Sequence, residues 1–213
     1  MDKGTGDRSK IFTRSCIDQI KQKRSITMGA MKIKQQVLFI HGGGDGGYEA
    51  DIKLVTSLQK SLGKEYDIVY SEIHFDESAS DFGWTQQIED KMADCKDDVI
   101  LVGHSFGASM ILKCLSENSG HKKMRGIFLI APPFWSGNEE WKQGIKLQID
   151  FADKLPNQTP IFFYHCKDDD EVPFSQFNDY KKHLNRATYR ELESGGHQLN
   201  NDLSIVSKDI KSL

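Results

Sequence analysis

The residues best suited to chemistry are a serine, a run of acids and a late histidine. Ser105 stands in Gly103-His104-Ser105-Phe106-Gly107, with a glycine two places to either side. Gly-X-Ser-X-Gly between a buried strand and a helix is the spacing of a nucleophile elbow. The turn is so tight that side chains at 103 and 107 would strike the neighbouring strand and helix, and glycine avoids this. The serine is then lifted off the sheet on a strained backbone, with the positive end of a helix behind it. A plain helix N-cap with turn glycines is the rival reading. The apolar "VILV" before the motif and the amphipathic stretch after it favour the elbow. A serine becomes a nucleophile when a base removes its proton and a carboxylate orients that base.

On such a turn the acid and then the histidine follow the serine along the chain. His121, in "SGHKKMRG", precedes a strand, and His183, in "YKKHLN", sits on a charged helix face. His165 ends the strand "IFFYH" and is expected to pack on the acidic loop after it. His197, in "ESGGHQLNND", lies in a glycine-flanked loop between the last strand and the last helix. It is the expected base. The acid is sought in "YHCKDDDEVPF", where Asp168, Asp169, Asp170 and Glu171 are equivalent by position. A solvated acidic turn, or a hard-cation site without EF-hand spacing, is the alternative there.

The elements that position these residues alternate. Apolar runs at "QVLFI", "YDIVYSEI", "DDVILVG", "RGIFLIAPP", "TPIFFYH" and "ATYREL" read as strands. Between them, Leu54, Leu58 and Leu62, then Trp84, Ile88 and Met92, then Ala108, Ile111, Leu112 and Leu115 recur at helical spacing. "FSQFNDYKKHL" and the segment from Leu203 to Leu213 read as further helices. Continuous rather than alternating apolar strands imply a mostly parallel sheet covered on both faces, a doubly wound α/β sandwich. In 136–156, Trp141 and Ile145, then Leu147, Phe151 and Leu155, suggest a crossover helix or a small lid.

The 213 residues allow one sizeable core. Residues 32–213 are expected to form that single domain. Residues 1–31, basic and hydroxyl-rich, read as a flexible extension, with Met28 or Met31 as alternative starts of the core chain. A short amphipathic helix around Ile11, Phe12, Ile17 and Ile20 is the other reading of that segment, which lacks the apolar centre of a secretory signal. A net charge of -3 gives no electrostatic reason to bind nucleic acid or an anionic membrane. The four cysteines, Cys16, Cys95, Cys114 and Cys166, form no CxxC pair and read as free thiols in a reducing, cytoplasmic setting.

From about residue 36 to the C-terminus, GHSFG, the acid loop before Val-Pro and the late GGH resemble the α/β-hydrolase family. The small size and the "HGGG" start are most similar to the small hydrolases near the retinoblastoma-binding-protein-9/YdeN group. The resemblance implies a compact α/β-hydrolase fold with no large cap. The family pattern Asp-x-x-Val-Pro selects Asp169 as the acid. It also implies an oxyanion hole made by the backbone N–H groups of Gly43 and Phe106. Asp45, in "HGGGDGG", departs from the needs of that hole, because an inward carboxylate would oppose a developing oxyanion. It is expected to cap the following helix or face solvent.

The expected chemistry is transfer of an acyl group from a small ester-like substrate to Ser105 and then to water, with no cofactor and no metal. A monomer or small homo-oligomer is expected. His41, Trp84, Phe106, Phe134 and Trp135 are candidates for an apolar acyl pocket. A thioesterase, amidase, lactonase or carbon–carbon hydrolase on the same residues is the nearest rival. A non-catalytic binding protein on the same fold is another. A phosphate-binding reading of the glycine loop lacks the lysine and spacing it would need.

Overall fold

The computed structural model describes Met1 and residues 34–44 and 46–213. The expectations for residues 2–31, including Cys16, and for Asp45 lie outside the described residues. Six strands form: β1 Gln35–Ile40, β2 Tyr66–Tyr70, β3 Val99–His104, β4 Met124–Ile130, β5 Ile161–Cys166 and β6 Thr188–Leu192. The helices are α1 Gly47–Leu62, α2 Trp84–Asp94, α3 Ser105–Glu117, the single turn α4 Phe151–Lys154, α5 Phe174–His183 and α6 Ser204–Lys211.

The strands lie in the order β2-β1-β3-β4-β5-β6, and every ladder is parallel. Successive strand residues point to opposite faces. Leu38, Ile40, Leu101, Ile127, Leu129 and Phe163 therefore share one core with α2, α3 and α5. Val37, Phe39, Ile100, Val102, Phe128, Ile130 and Tyr164 share the other with α1 and α6. This two-sided burial is why the strands read as unbroken apolar runs. Lys34–Leu213 is one compact unit.

The chain runs outward from β1 to β2 and then crosses back to β3. The loops after β1 and β3 thus leave the sheet in opposite directions. A crevice opens between them at the carboxyl ends of the strands, which is where open α/β sheets hold ligands.

Two segments differ from the sequence reading. β2 ends at Tyr70, and Ser71–Ile73 continue without a strand partner. The Ile73 N–H is instead taken by His41 Nε2 at 2.8 Å. Segment 136–156 forms one 3-10 turn at Glu140–Lys142 and the short α4, not a crossover helix. Gly144 in this segment packs so tightly on the Ser80 carbonyl that a Cβ would overlap it. Ile145, Phe151 and Leu155 anchor the segment in the core.

Candidate active site

Ser105 is the first residue of α3, and its φ is 50°. Left-handed backbone is strained for a residue with a Cβ, and such strain concentrates at functional turns. A Cβ at Gly103 would lie 2.7 Å from Ala108 Cα and from Ile111 Cδ1. A Cβ at Gly107 would overlap the His41 carbonyl and lie 2.8 Å from Ile40 Cγ2. Both glycines are therefore demanded by close approach. The N-cap position belongs to His104, and no side chain caps α3. The Phe106 N–H, in the first turn, has no carbonyl four residues back within the helix to bond.

The acidic loop resolves into four different roles. Asp168 accepts hydrogen bonds from the N–H groups of Gly195 and Gly196, at 3.1 and 2.9 Å, and so braces the histidine loop. Asp169 lies beside the histidine itself: His197 Nδ1–H donates to its carboxylate at 2.9 Å. The same carboxylate accepts from the N–H groups of Glu171 and Val172, at 3.0 and 2.9 Å. His165 Nε2 stands 3.2 Å from it, so Asp169 sits between two imidazoles. Asp170 is exposed. Glu171 stays largely in solvent, yet its Oε2 lies 3.7 Å from His197 Nε2.

Burial opposes a charge on Asp169, but the hydrogen bonds from His165, His197 and Val172 outweigh it, and the carboxyl is held far below its ordinary value. Burial likewise opposes a charge on His197, but the hydrogen bond to Asp169 and the nearby Asp169, Glu171 and Asp51 carboxylates raise its pKa. His197 is thus a strengthened base with its Nδ1 tautomer fixed by Asp169.

The Gly42–Gly44 loop closes on the serine turn. A Cβ at Gly42 would touch Ser105 Cβ and His104 Nδ1 at 3.4 Å, and one at Gly43 would press on Phe106 Cβ at 2.9 Å and on its ring at 3.0 Å. Only a loop without side chains reaches this near the serine. His41 does not line the pocket as the sequence suggested. It is buried, and both ring nitrogens are spent on backbone: Nδ1–H donates to the Gly42 carbonyl at 2.6 Å, and Nε2 accepts from Ile73. Its part is to hold the loop in place.

A cavity of about 510 Å³ opens beside Ser105. Trp84, Phe106 and Trp135 line it, together with Phe75, Phe82, Trp141 and Ile145. Phe106 stands edge-on to both Trp84 and Trp135. Phe134 does not reach the cavity; its ring packs on Tyr180 and His183, and Pro133 takes the place at the wall. The segment 136–156 supplies Trp141 and Ile145 as a side wall. Among the described residues lining the cavity, Glu171 is the only charged one. A smaller recess of about 210 Å³ joins Ser105, His197, Gly42 and Gly43 with Asp51, His104 and Gln198. Among the described residues no group of three or more His, Cys, Asp or Glu is placed to hold a metal.

Asp51, His104 and Gln198 escaped the sequence reading. His104 Nδ1 lies 2.9 Å from the Asp51 carboxylate, and both residues are 1% exposed. Asp51 had a visible signal: it falls three residues before Leu54, on the apolar face of α1. A carboxylate on a buried stripe calls for a partner.

A family model described as serine hydrolase matches residues 55–203, from the first helix through the His197 loop. Among curated proteins no relative matches. Among solved structures, the ydeN gene product of B. subtilis superposes with a TM-score of 0.63 at 22% identity, over 84% of this chain and 98% of that one. SOBER1 of Arabidopsis thaliana gives 0.60 at 18% identity, over 84% and 98% of the two chains. Est1E from Butyrivibrio proteoclasticus, solved with ferulic acid bound, gives 0.62 at 14% identity, over 87% and 90%. At these identities the likeness establishes the α/β-hydrolase fold. The family match covers well over half the length, and by it the chain belongs to the serine hydrolases.

Proposed function

We propose that this hydrolase cleaves uncharged carboxylic esters with an apolar, aromatic-sized acyl group. In this reading His197 Nε2 takes the Ser105 proton, and Ser105 Oγ attacks the ester carbonyl. The N–H groups of Gly43 and Phe106 receive the oxyanion. Asp169 holds the His197 tautomer and stabilises the imidazolium. His197 then protonates the leaving alcohol, and water, deprotonated by the same nitrogen, frees the acid from the acyl-enzyme. The observation that carries the reading is the 2.9 Å bond between His197 Nδ1 and Asp169, at the rim of the recess that holds Ser105 on its strained turn.

The acyl preference is supported by the aromatic lining of the larger cavity. The negative charge of Glu171 in the lining disfavours anionic acyl donors such as coenzyme A thioesters. Measuring kcat/KM over a panel of neutral aryl-acyl, short alkyl-acyl, thioester and amide substrates tests the proposal. Neutral aryl-acyl esters should lead the panel, and Ser105→Ala should abolish their turnover. Preferred turnover of amides or of anionic thioesters would contradict it.

A further inference from the structure

Three segments must meet for the proposed chemistry: the serine turn, the glycine loop with its oxyanion donor, and the loop carrying the base. All three are tied to one buried carboxylate. Asp51 accepts from the Gly42 N–H at 2.8 Å, from His104 Nδ1–H at 2.9 Å and from Gln198 Nε2 at 3.2 Å. His104, the residue before Ser105, points its other nitrogen, Nε2, at the His197 carbonyl at 3.1 Å. We propose that Asp51 and His104 are positioning residues, a buried carboxylate–imidazole bridge that locks the oxyanion loop and the base loop onto the serine turn.

The chemistry of the partners sets the protons in this bridge. A carbonyl oxygen only accepts, and a carboxylate already receiving two N–H donors accepts as well. Both His104 nitrogens therefore face acceptors, and Nδ1–H donates to Asp51. His41, nearby, is the contrast: one of its nitrogens accepts from Ile73 and the other donates to Gly42, so it carries a single hydrogen. Removing Asp51 leaves the buried His104 Nδ1–H without its acceptor. The Gly42–Gly44 loop has no side chains to hold itself in place, so an external tether is what gives it one position.

The effect on rate rests on the hydrolase reading above; the bridge itself does not. Two variants test it, Asp51→Asn and Gln198→Ala, with fluorophosphonate labelling of Ser105 followed as both rate and final stoichiometry. Misplacing reacting groups by about 1 Å costs on the order of 100-fold in rate, so Asp51→Asn should label to full stoichiometry on the order of 10–100-fold more slowly. Ester turnover should show the same loss in kcat with KM little changed. Gln198→Ala, which removes one of the tethers, should slow labelling less. The imidazole NMR spectrum of the wild type should show the His104 Nδ1–H as a slowly exchanging proton held by Asp51, and Asp51→Asn should shift that signal and speed its exchange.

A wild-type labelling rate in Asp51→Asn would overturn the proposal. So would a loss confined to stoichiometry, which marks a smaller folded fraction and a merely structural role. A His104 Nδ1–H that exchanges freely in the wild type would overturn it too. Wild-type protein that fails to label would sink the hydrolase reading instead, and the imidazole spectrum would then decide the bridge alone.

Discussion

At the scale of single residues, Asp169 and His197 define the expected behaviour. An amide at 169 keeps the shape but can stabilise the wrong His197 tautomer. Asp169→Asn should therefore lower kcat by on the order of 10,000-fold with the fold intact, as measured by ester turnover beside a circular dichroism spectrum. The pH dependence follows from the direction of the His197 shift. A base works only when unprotonated, and the Asp169 and Glu171 carboxylates raise the His197 pKa against burial. The acid limb of kcat/KM should thus lie above the ordinary imidazole value of about 6.5. Glu171→Gln removes one negative charge 3.7 Å from Nε2, lowers that pKa and should move the acid limb to lower pH. A limb that stays in place or moves upward would contradict the assignment of His197 as base.

The residue scale also shows where sequence stops. Ser105 and His197 were legible because glycine spacing and chain order are local patterns. The acid was not legible from position, because Asp168, Asp169 and Asp170 are alike in sequence and only the fold decides which meets His197. The resemblance to a family pattern pointed to Asp169, and the structure puts that residue on His197 Nδ1. His41 and Phe134 looked like pocket residues because aromatic rings near a serine turn are equally good core. Their hydrogen bonds and ring contacts place them behind the wall. His104 was hidden in the variable position of the glycine motif, and its partner lies more than fifty residues away in sequence.

At the scale of elements, the strands were legible and the irregular wall was not. Unbroken apolar runs alternating with amphipathic stretches are explained by burial on both faces of a parallel sheet. Segment 136–156 carries helical spacing but forms only a 3-10 turn and the short α4, and its Gly144 packs on the Ser80 carbonyl where a side chain would not fit. Two predictions belong to this scale. Gly107→Ala forces a Cβ into the His41 carbonyl, a backbone atom that cannot step aside. It should cost roughly 1–3 kcal/mol of stability by urea unfolding, or shift the turn and abolish labelling. Trp141 stands on the rim of the cavity, half in solvent, where a contact with the proposed acyl group would be the same in the ground and transition states. Trp141→Ala should raise KM for aryl-acyl esters several-fold and leave kcat nearly unchanged, whereas an equal loss in kcat would place it in the chemistry.

At the scale of the whole molecule, the site exists because one sheet brings distant segments to one edge. The glycine loop follows β1, the serine turn follows β3, the acid loop follows β5 and the histidine loop follows β6. The far edge is held by a buried link: Tyr164 donates to Asp209 at 2.8 Å, and Arg190 pairs with the same carboxylate, joining β5, β6 and α6. Asp209→Ala would strand a fully buried hydroxyl and should cost about 1–3 kcal/mol in urea unfolding. The three described cysteines are buried, and burial pushes Cys114 up to about 12 and Cys166 up to about 11, so alkylating probes should spare them in the folded protein. No helix among the described residues is long and apolar enough to cross a membrane.

The most direct test of the account is fluorophosphonate labelling read by intact mass on wild type, Ser105→Ala and His197→Ala. The account predicts one adduct on the wild type, none on Ser105→Ala and a labelling rate reduced by orders of magnitude on His197→Ala. Wild-type protein that stays unlabelled while folded, or a His197→Ala variant that labels as fast as wild type, would contradict it.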